Sequence, residues 1–418
     1  MPSANSYTVE HDLIDACRSC GSEQLEPIIE FGPTPLADRL LDEQTRIMAE
    51  PVCPLSVVFC HECSLLQIVE TVRPEVLFHS DYPYFSSVSP ALLRHFEGNV
   101  KETRVRRPVG ANGLVVEVAS NDGYLLRNYA RDGIPVLGID PTQGPAQAAR
   151  ALGIETIQDF FSAGLAEDLR NQGKMADVIH ANNVLAHVAD TNGFVAGLST
   201  ILREDGLLVV ECPYVVDLVD NCEFDTIYHQ HLCYFSLHAL KRLFGQHGLY
   251  VQDLQRLTIH GGSLRLFVGK KDTSSDAVTY LLKDELKRGV TTNSFYADFR
   301  RRIEHCRLAL VTELEKLKSS GNRIVGYGAP AKACTLMTFM GLGPNYLEYL
   351  VDKSEVKQGR FYPGNHLAIR KPEVLVEDEP DYALLLAWNF AEEIMADQAE
   401  YSRRGGKFII PIPQVTVK

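Results

Sequence analysis

Five apolar runs separated by helical stretches fill residues 114–213, and this alternation limits the fold more than any other feature of the chain. "LVVEVASNDG" (114–123) reads as a strand ending in small and polar residues before the helical "YLLRNYARDG". "PVLGIDP" is a second strand ending in Asp140, followed by the helix "GPAQAARALG", the short strand "IETIQDFF" and another helix. "MADVIHANNVLAHV", the helix "TNGFVAGLSTILREDG" and the strand "LLVVECPY" complete the set. Strands interleaved with helices at this spacing form a parallel sheet covered on both faces. Ligands of such sheets bind beyond the carboxyl ends of the strands.

The first turn, E-V-A-S-N-D-G, has Ala119 and Asn121 where a dinucleotide fingerprint would have glycines, and on its own is weak evidence. Asp140 says more: it lies 17 residues after Gly123, at the end of the next strand. An acid there accepts both ribose hydroxyls of a nucleoside, the alternative being a helix N-cap. A turn poor in glycine suits a cofactor without a pyrophosphate, which points away from NAD and toward S-adenosylmethionine.

The cysteines are unevenly placed. Five of ten fall in the first 63 residues, four of them in the pairs "CRSC" (Cys17, Cys20) and "CHEC" (Cys60, Cys63), 39 residues apart. Two such knuckles complete a tetrahedron around Zn²⁺, and four thiolates leave no open position, so the metal is structural. Disulfides are the alternative, disfavoured by the cytoplasmic setting that a start without a signal-peptide pattern suggests. Cys53 and His61 are surplus to a four-cysteine site.

At 418 residues the chain is long enough for about two or three domains. No run of about 18 apolar residues suggests a membrane span. The net charge of −13 argues against nucleic acid as a partner, and the basic "VKETRVRRPVG" reads as a solvated linker.

"TIYHQHLCYF" (226–235) crowds Tyr228, His229 and His231 just beyond an apolar strand, with Gln230 between the histidines. Further on, "RIVGYGAPAKACTL" is a strand, a Gly-rich turn and a helix start, an anion site whose free backbone N–H groups face a phosphate. Lys332 there is either a phosphate partner or a solvated helix lysine. His260, in "IHGGSLRLFV", opens a Gly-Gly turn where a ligand can approach the backbone closely, or forms a plain turn.

"EVASNDG", "GIDP", "IQDFF", "ANNVLAHV", "YHQHLCYFS" and "HGGSLR", with the cysteine segment and the later "GYGAPAKA" and "LAWNF", resemble the C-methyltransferases that modify nucleotide-linked deoxysugars for antibiotic biosynthesis. The resemblance spans nearly the whole chain. It implies an α/β protein with an N-terminal zinc-binding lobe (1–80), a central Rossmann-like S-adenosylmethionine domain (81–270) and a C-terminal Rossmann-like nucleotide-sugar domain (271–418). The implied reaction is C-methylation of a dTDP-linked 3-amino-4-keto deoxysugar at C-3′ through an enolate, with S-adenosylhomocysteine as coproduct. Relatives acting at C-5′ share the motifs. A cytoplasmic monomer is expected.

The resemblance puts the cofactor on Glu117, Ala119, Asn121, Gly123, Asp140, Pro141, Asp159, Phe160, Asn182 and Asn183. His231 becomes the base, Tyr228 a hydrogen-bond donor or proton shuttle, Tyr82 a wall of the pocket and His187 a near neighbour. Tyr84, His260, Ser263, Arg265, Gly328, Lys332 and Asn389 face the sugar nucleotide. Packing is the alternative for Tyr82, Tyr84, His187 and His229.

The family pattern has Glu where this chain has Gln230. The chain is either a natural outlier or carries a deliberate substitution, and the intact surroundings favour the second. Two other readings stand beside the first: an O- or N-methyltransferase, for which the Tyr228–His231 cluster is overbuilt, and an inactive zinc-containing binding protein.

Overall fold

The structure, a computed structural model, describes residues 6–78 and 85–418, and of His260 the backbone alone. Tyr82 and Tyr84 lie outside the described residues. The alternating segment forms β1 (Val115–Val118), β2 (Val136–Ile139), β3 (Thr156–Ile157), β4 (Ala176–Asn182) and β5 (Leu202–Pro213), joined by β6 (Tyr250–Leu257) and β7 (Ser263–Gly269). The order across the sheet is β3-β2-β1-β4-β5-β7-β6. The first five strands are parallel, and β7 runs antiparallel between β5 and β6. All four residues of β1 are buried, as the near-continuous apolar run requires of a strand covered on both faces. Chain order reverses between β1 and β4, and ligands of such sheets bind at the carboxyl ends of the strands flanking the reversal.

Helices around this sheet start where side chains satisfy their first amides. Ser162 accepts from Leu165, Asp190 from Gly193 and Ser236 from Ala239. The helix expected after β1 is cut to Arg127–Ala130. Asn128 donates its side-chain amide to the Leu125 carbonyl at 3.0 Å, competing with the helical ladder. The basic stretch expected as a linker instead ends the helix Pro90–Arg106. Its arginines pair with Asp132, Asp253 and Asp177.

A second sheet, in the order β10-β9-β8-β11-β12-β13, holds β8 (Ile324–Tyr327), β9 (Leu350–Val351), β10 (Ile369–Arg370), β11 (Tyr382–Leu385), β12 (Lys407–Ile410) and β13 (Thr416–Val417). It is parallel apart from β13, and its own reversal falls between β8 and β11. Near the N-terminus a small sheet contains Leu25–Glu30, Ser56–Cys60 and Leu66–Ile68. Its edge is completed by Cys233–Tyr234, immediately after the histidine cluster, pairing with Gln67 and Leu66. Among the described residues no helix is long and apolar enough to cross a membrane.

Two residues expected at the substrate are engaged by the scaffold. Arg265 of β7 stands opposite Glu211 of β5 and is 5% exposed. Its Nε donates to Glu211 at 2.6 Å and Nη1 to Glu102 at 3.2 Å, while His95 and Asn99 also hold Glu211. Burial pushes the Glu211 carboxyl up, but His95 and Arg265 outweigh it and hold it below the usual range. Ser263 is fully buried and donates to the Ile259 carbonyl at 3.1 Å. Arg265→Ala would leave Glu211 short of its main cation and is expected to destabilise the protein by about 3–5 kcal/mol. Urea denaturation checks this, and an unmoved midpoint would contradict it.

Candidate active site

The two cysteine knuckles are built alike. Gly21 N–H closes on Cys17 C=O and Ser64 N–H on Cys60 C=O, both at 2.9 Å. Gly21 and Ser64 are each left-handed, at φ 72° and 63°. The four sulfurs lie within 4.8 Å of one another, with Cys17–Cys63 and Cys20–Cys60 at 3.5 Å. A tetrahedral zinc about 2.3 Å from each sulfur needs sulfur–sulfur edges of about 3.8 Å, so the donor set fits the metal. His61 pairs with Glu26 at 2.7 Å, and Cys53 packs in an apolar cluster with Leu36, Val72 and Leu77. Neither belongs to the metal cluster.

The crevice of the central sheet begins at the turn after β1. Ala119, Asn121 and Gly123 are all left-handed, at φ 57°, 48° and 78°, so the turn keeps a glycine-type backbone with two side chains present. Asp140 is 4% exposed and accepts from the Asn121 amide at 2.8 Å, the Thr142 amide at 2.9 Å and the Thr142 hydroxyl. It therefore clamps the end of β2 to the turn after β1, a role that neither the cap nor the ribose reading anticipated.

Around it, among the described residues, Ser120 Oγ and Asp122 Oδ1 are buried without a hydrogen-bond partner, and the buried Glu117 carboxylate faces Tyr124 and Asn182. Burial, with Asp140 and Asp122 close by, pushes Glu117 well above the ordinary carboxylate range. Burial also pushes Asp140 up, against its three hydrogen bonds. Acids raised in this way gain from a cation, and S-adenosylmethionine brings a sulfonium and an ammonium. The buried acids and polar side chains at the carboxyl ends of β1 and β4 fit that group. Asn183 is left-handed at φ 52° and donates its amide to Glu211 C=O. Pro141 and Phe160 are half-buried, whereas Asp159 is exposed beyond β3 and accepts only from the Phe160 amide at 2.8 Å.

Asp140→Asn is expected to weaken S-adenosylmethionine binding by about 1.5–3 kcal/mol, the worth of a hydrogen bond to a charged group, with the fold retained. Asp140→Ala adds a loss of stability, because the Asn121 and Thr142 amides lose their acceptor. Calorimetry with thermal denaturation separates the two effects; unchanged cofactor affinity would leave the acid as a clamp only.

Beyond β5 the loop 222–235 carries the histidine cluster. His231 Nδ1 lies 2.8 Å from the Thr226 carbonyl, which can only accept, so Nδ1 bears the proton. Nε2 then accepts the Tyr228 O–H at 2.9 Å, with the two ring centroids 4.1 Å apart. His187, on the turn Leu185–His187 beyond β4, packs edge-on against His231 at 4.7 Å. Burial pulls its pKa down to about 4, which keeps it neutral. His229 turns to the zinc lobe, with Nε2 2.9 Å from the Pro54 carbonyl. Gln230 is 2% exposed, its amide 3.5 Å from the Ala37 carbonyl of the same lobe.

The C-terminal sheet brings Lys332 and Asn389 together at its reversal. Lys332 Nζ donates to Asn389 Oδ1 at 2.6 Å and lies 3.7 Å from the Trp388 ring centroid. Burial, opposed by Asp225 and Glu223, lowers Lys332 to about 8, so it is no solvated helix lysine. The turn offers fewer amides than expected. Ala329 N–H is taken by Asp352 Oδ2 at 2.6 Å, and Pro330 has none. Gly328 is explained by packing, since a Cβ there would come within 2.9 Å of the Ala387 Cβ.

Asp352 repeats the device of Asp140: one oxygen takes an amide of the turn after the first strand, the other takes the amide two residues on, Ser354 at 2.8 Å. The sequence carried this signal in "IDPT" and "VDKS". Asp122, Glu223, Asp225 and Trp388 were also missed, and nothing in their spacing marks them.

Models of three protein families match the chain: a zinc binding domain over residues 17–78, a methyltransferase domain over 94–254 and a C-methyltransferase C-terminal domain over 258–413. C-methyltransferase NovU of Streptomyces niveus is 36% identical over 407 residues, covering 97% of each chain. A ubiquinone biosynthesis O-methyltransferase of Azorhizobium caulinodans is 30% identical over 125 residues, 29% of this chain and 47% of the relative. Among solved structures, magnesium protoporphyrin IX methyltransferase of Synechocystis with bound SAM matches 43% of this chain and 79% of its own at 13% identity, with a TM-score of 0.33.

Proposed function

Because this chain belongs to the S-adenosylmethionine-dependent C-methyltransferases, we propose that it methylates C-3′ of a dTDP-linked 3-amino-4-keto deoxysugar through an enolate, for antibiotic biosynthesis. The observation that supports this best is the Thr226–His231–Tyr228 relay. A carbon with no lone pair must lose a proton before it can take a methyl group, and the 4-keto group acidifies the carbon beside it. O- and N-methylation need no enolate.

His231 Nε2 takes the carbon-bound proton, and the Thr226 carbonyl stabilises the imidazolium through Nδ1–H. For this the Tyr228 O–H first turns from Nε2 to the substrate's keto oxygen, which frees the Nε2 lone pair and stabilises the enolate oxygen as the proton leaves carbon. Neutral His187 limits the space beside the ring. Bound S-adenosylmethionine supplies the electrophilic methyl. Lys332 and Asn389 hold the nucleotide's phosphates at the carboxyl end of the C-terminal sheet.

A sugar nucleotide deuterated at C-3′ is expected to release its label to solvent with each methyl transferred. Label retained in a methylated product would indicate O- or N-methylation, and release only from C-5′, also alpha to the ketone, would move the reaction there.

Next to this relay, Gln230 stands where the family pattern has an ionisable Glu. Gln and Glu are nearly isosteric, so Gln230→Glu is expected to leave both ligand affinities unchanged and to raise kcat by roughly 10²-fold or more. Equal rates would show that position 230 only shapes the pocket.

A further inference from the structure

We propose that Asp225 is a positioning residue for this reaction: it ties the loop bearing His231 to the reversal of the C-terminal sheet and so fixes which imidazole nitrogen acts as base. The proposal rests on His231 being that base.

Asp225 is fully buried in the short turn Phe224–Thr226. Its Oδ2 accepts the Trp388 indole N–H at 2.6 Å, and Trp388 stands on the turn directly after β11. The next residue, Thr226, supplies the carbonyl that takes His231 Nδ1–H. The residue after that, Ile227, has its carbonyl held by the Thr335 hydroxyl at 2.6 Å. Two bonds from the C-terminal domain thus flank the carbonyl that decides the tautomer.

Burying a carboxylate is costly unless its charge is used. The Asp225 carboxylate is held by the Lys332 ammonium nearby, by the Trp388 indole N–H and by the backbone amides of its own turn. That ammonium rests on the Trp388 ring and on Asn389, at the place where the sheet reverses. Loosening the Trp388 contact frees the Thr226 carbonyl to move, and His231 then gains access to its other tautomer, in which Nε2 carries the proton and cannot serve as base.

The test is nitrogen NMR of the intact chain with labelled histidine, alongside steady-state kinetics. Trp388→Phe keeps an aromatic face under Lys332 and removes only the N–H. It is expected to introduce an Nε2–H population for His231 and to lower kcat by roughly 10–10²-fold, with KM for both substrates within about twofold. Asp225→Asn keeps an acceptor for the indole and is expected to lose less than Asp225→Ala. A single Nδ1–H tautomer with undiminished kcat in Trp388→Phe would overturn the proposal. If His231→Asn retains turnover, the base assignment itself is wrong. If His231→Asn is inactive while Trp388→Phe behaves as the unsubstituted chain, only the positioning role fails.

Discussion

In the Gln230→Glu background, His231→Asn is expected to lower kcat by roughly 10²–10⁴-fold with both ligands still bound. Asn can still donate to the Thr226 carbonyl, so the loop keeps its shape, but its amide offers no basic nitrogen to Tyr228 or to the sugar. The loss belongs to the transition state, where the proton moves, and so falls on kcat and leaves KM nearly unchanged. Steady-state kinetics with both substrates varied checks this. A rise in KM at constant kcat would instead make His231 a binding residue and transfer the base role to another group.

Stripping zinc, or replacing Cys60 by Ser, is expected to abolish most turnover while S-adenosylmethionine still binds the central sheet. The zinc lobe grips the catalytic loop directly: Ile68 N–H donates to the Leu232 carbonyl at 3.0 Å, Gln67 pairs with Cys233, and His229 meets Pro54. Structural zinc supplies about 10–16 kcal/mol to small four-ligand units, so the seam should not survive its loss. A fall of tenfold or more in kcat is roughly what a misplaced catalytic group produces. Metal analysis, calorimetry with the cofactor and a turnover assay together decide the matter. Full kcat from zinc-free protein would show that the loop stands without the lobe.

The periodic parts of the fold were legible in sequence, and the parts that depend on distant partners were not. The strands around Val115–Val118 and Val136–Ile139 declare themselves because a strand buried on both faces is a near-continuous apolar run, broken in the first only by Glu117. The cysteine pairs do so because tetrahedral coordination needs that spacing. The scaffold partners of Arg265 and Ser263 were not legible because a polar residue in a motif reads the same whether it faces a ligand or a cross-strand partner such as Glu211. The helix after the first strand was overextended because the Asn128 side chain competes with the backbone in a way that periodicity does not capture. Trp388 and Asp225 stand 163 positions apart, beyond the reach of any local pattern.

The same separations bear on how the molecule is made. The bonds that hold the catalytic loop span 175 residues to Pro54, 193 to Ala37 and 108 to Thr335. Contacts so distant along the chain carry a large loop-closure cost and form late, after the locally wired sheets. During synthesis the zinc lobe and the central sheet can condense first, since chains fold from the N-terminal side as they emerge. The loop gains its last anchors only when residues 335 and 388 have left the ribosome. A nascent chain can thus form its cofactor sheet before the loop bearing His231 is anchored, and the finished geometry of that loop reports the emergence of residues 335 and 388.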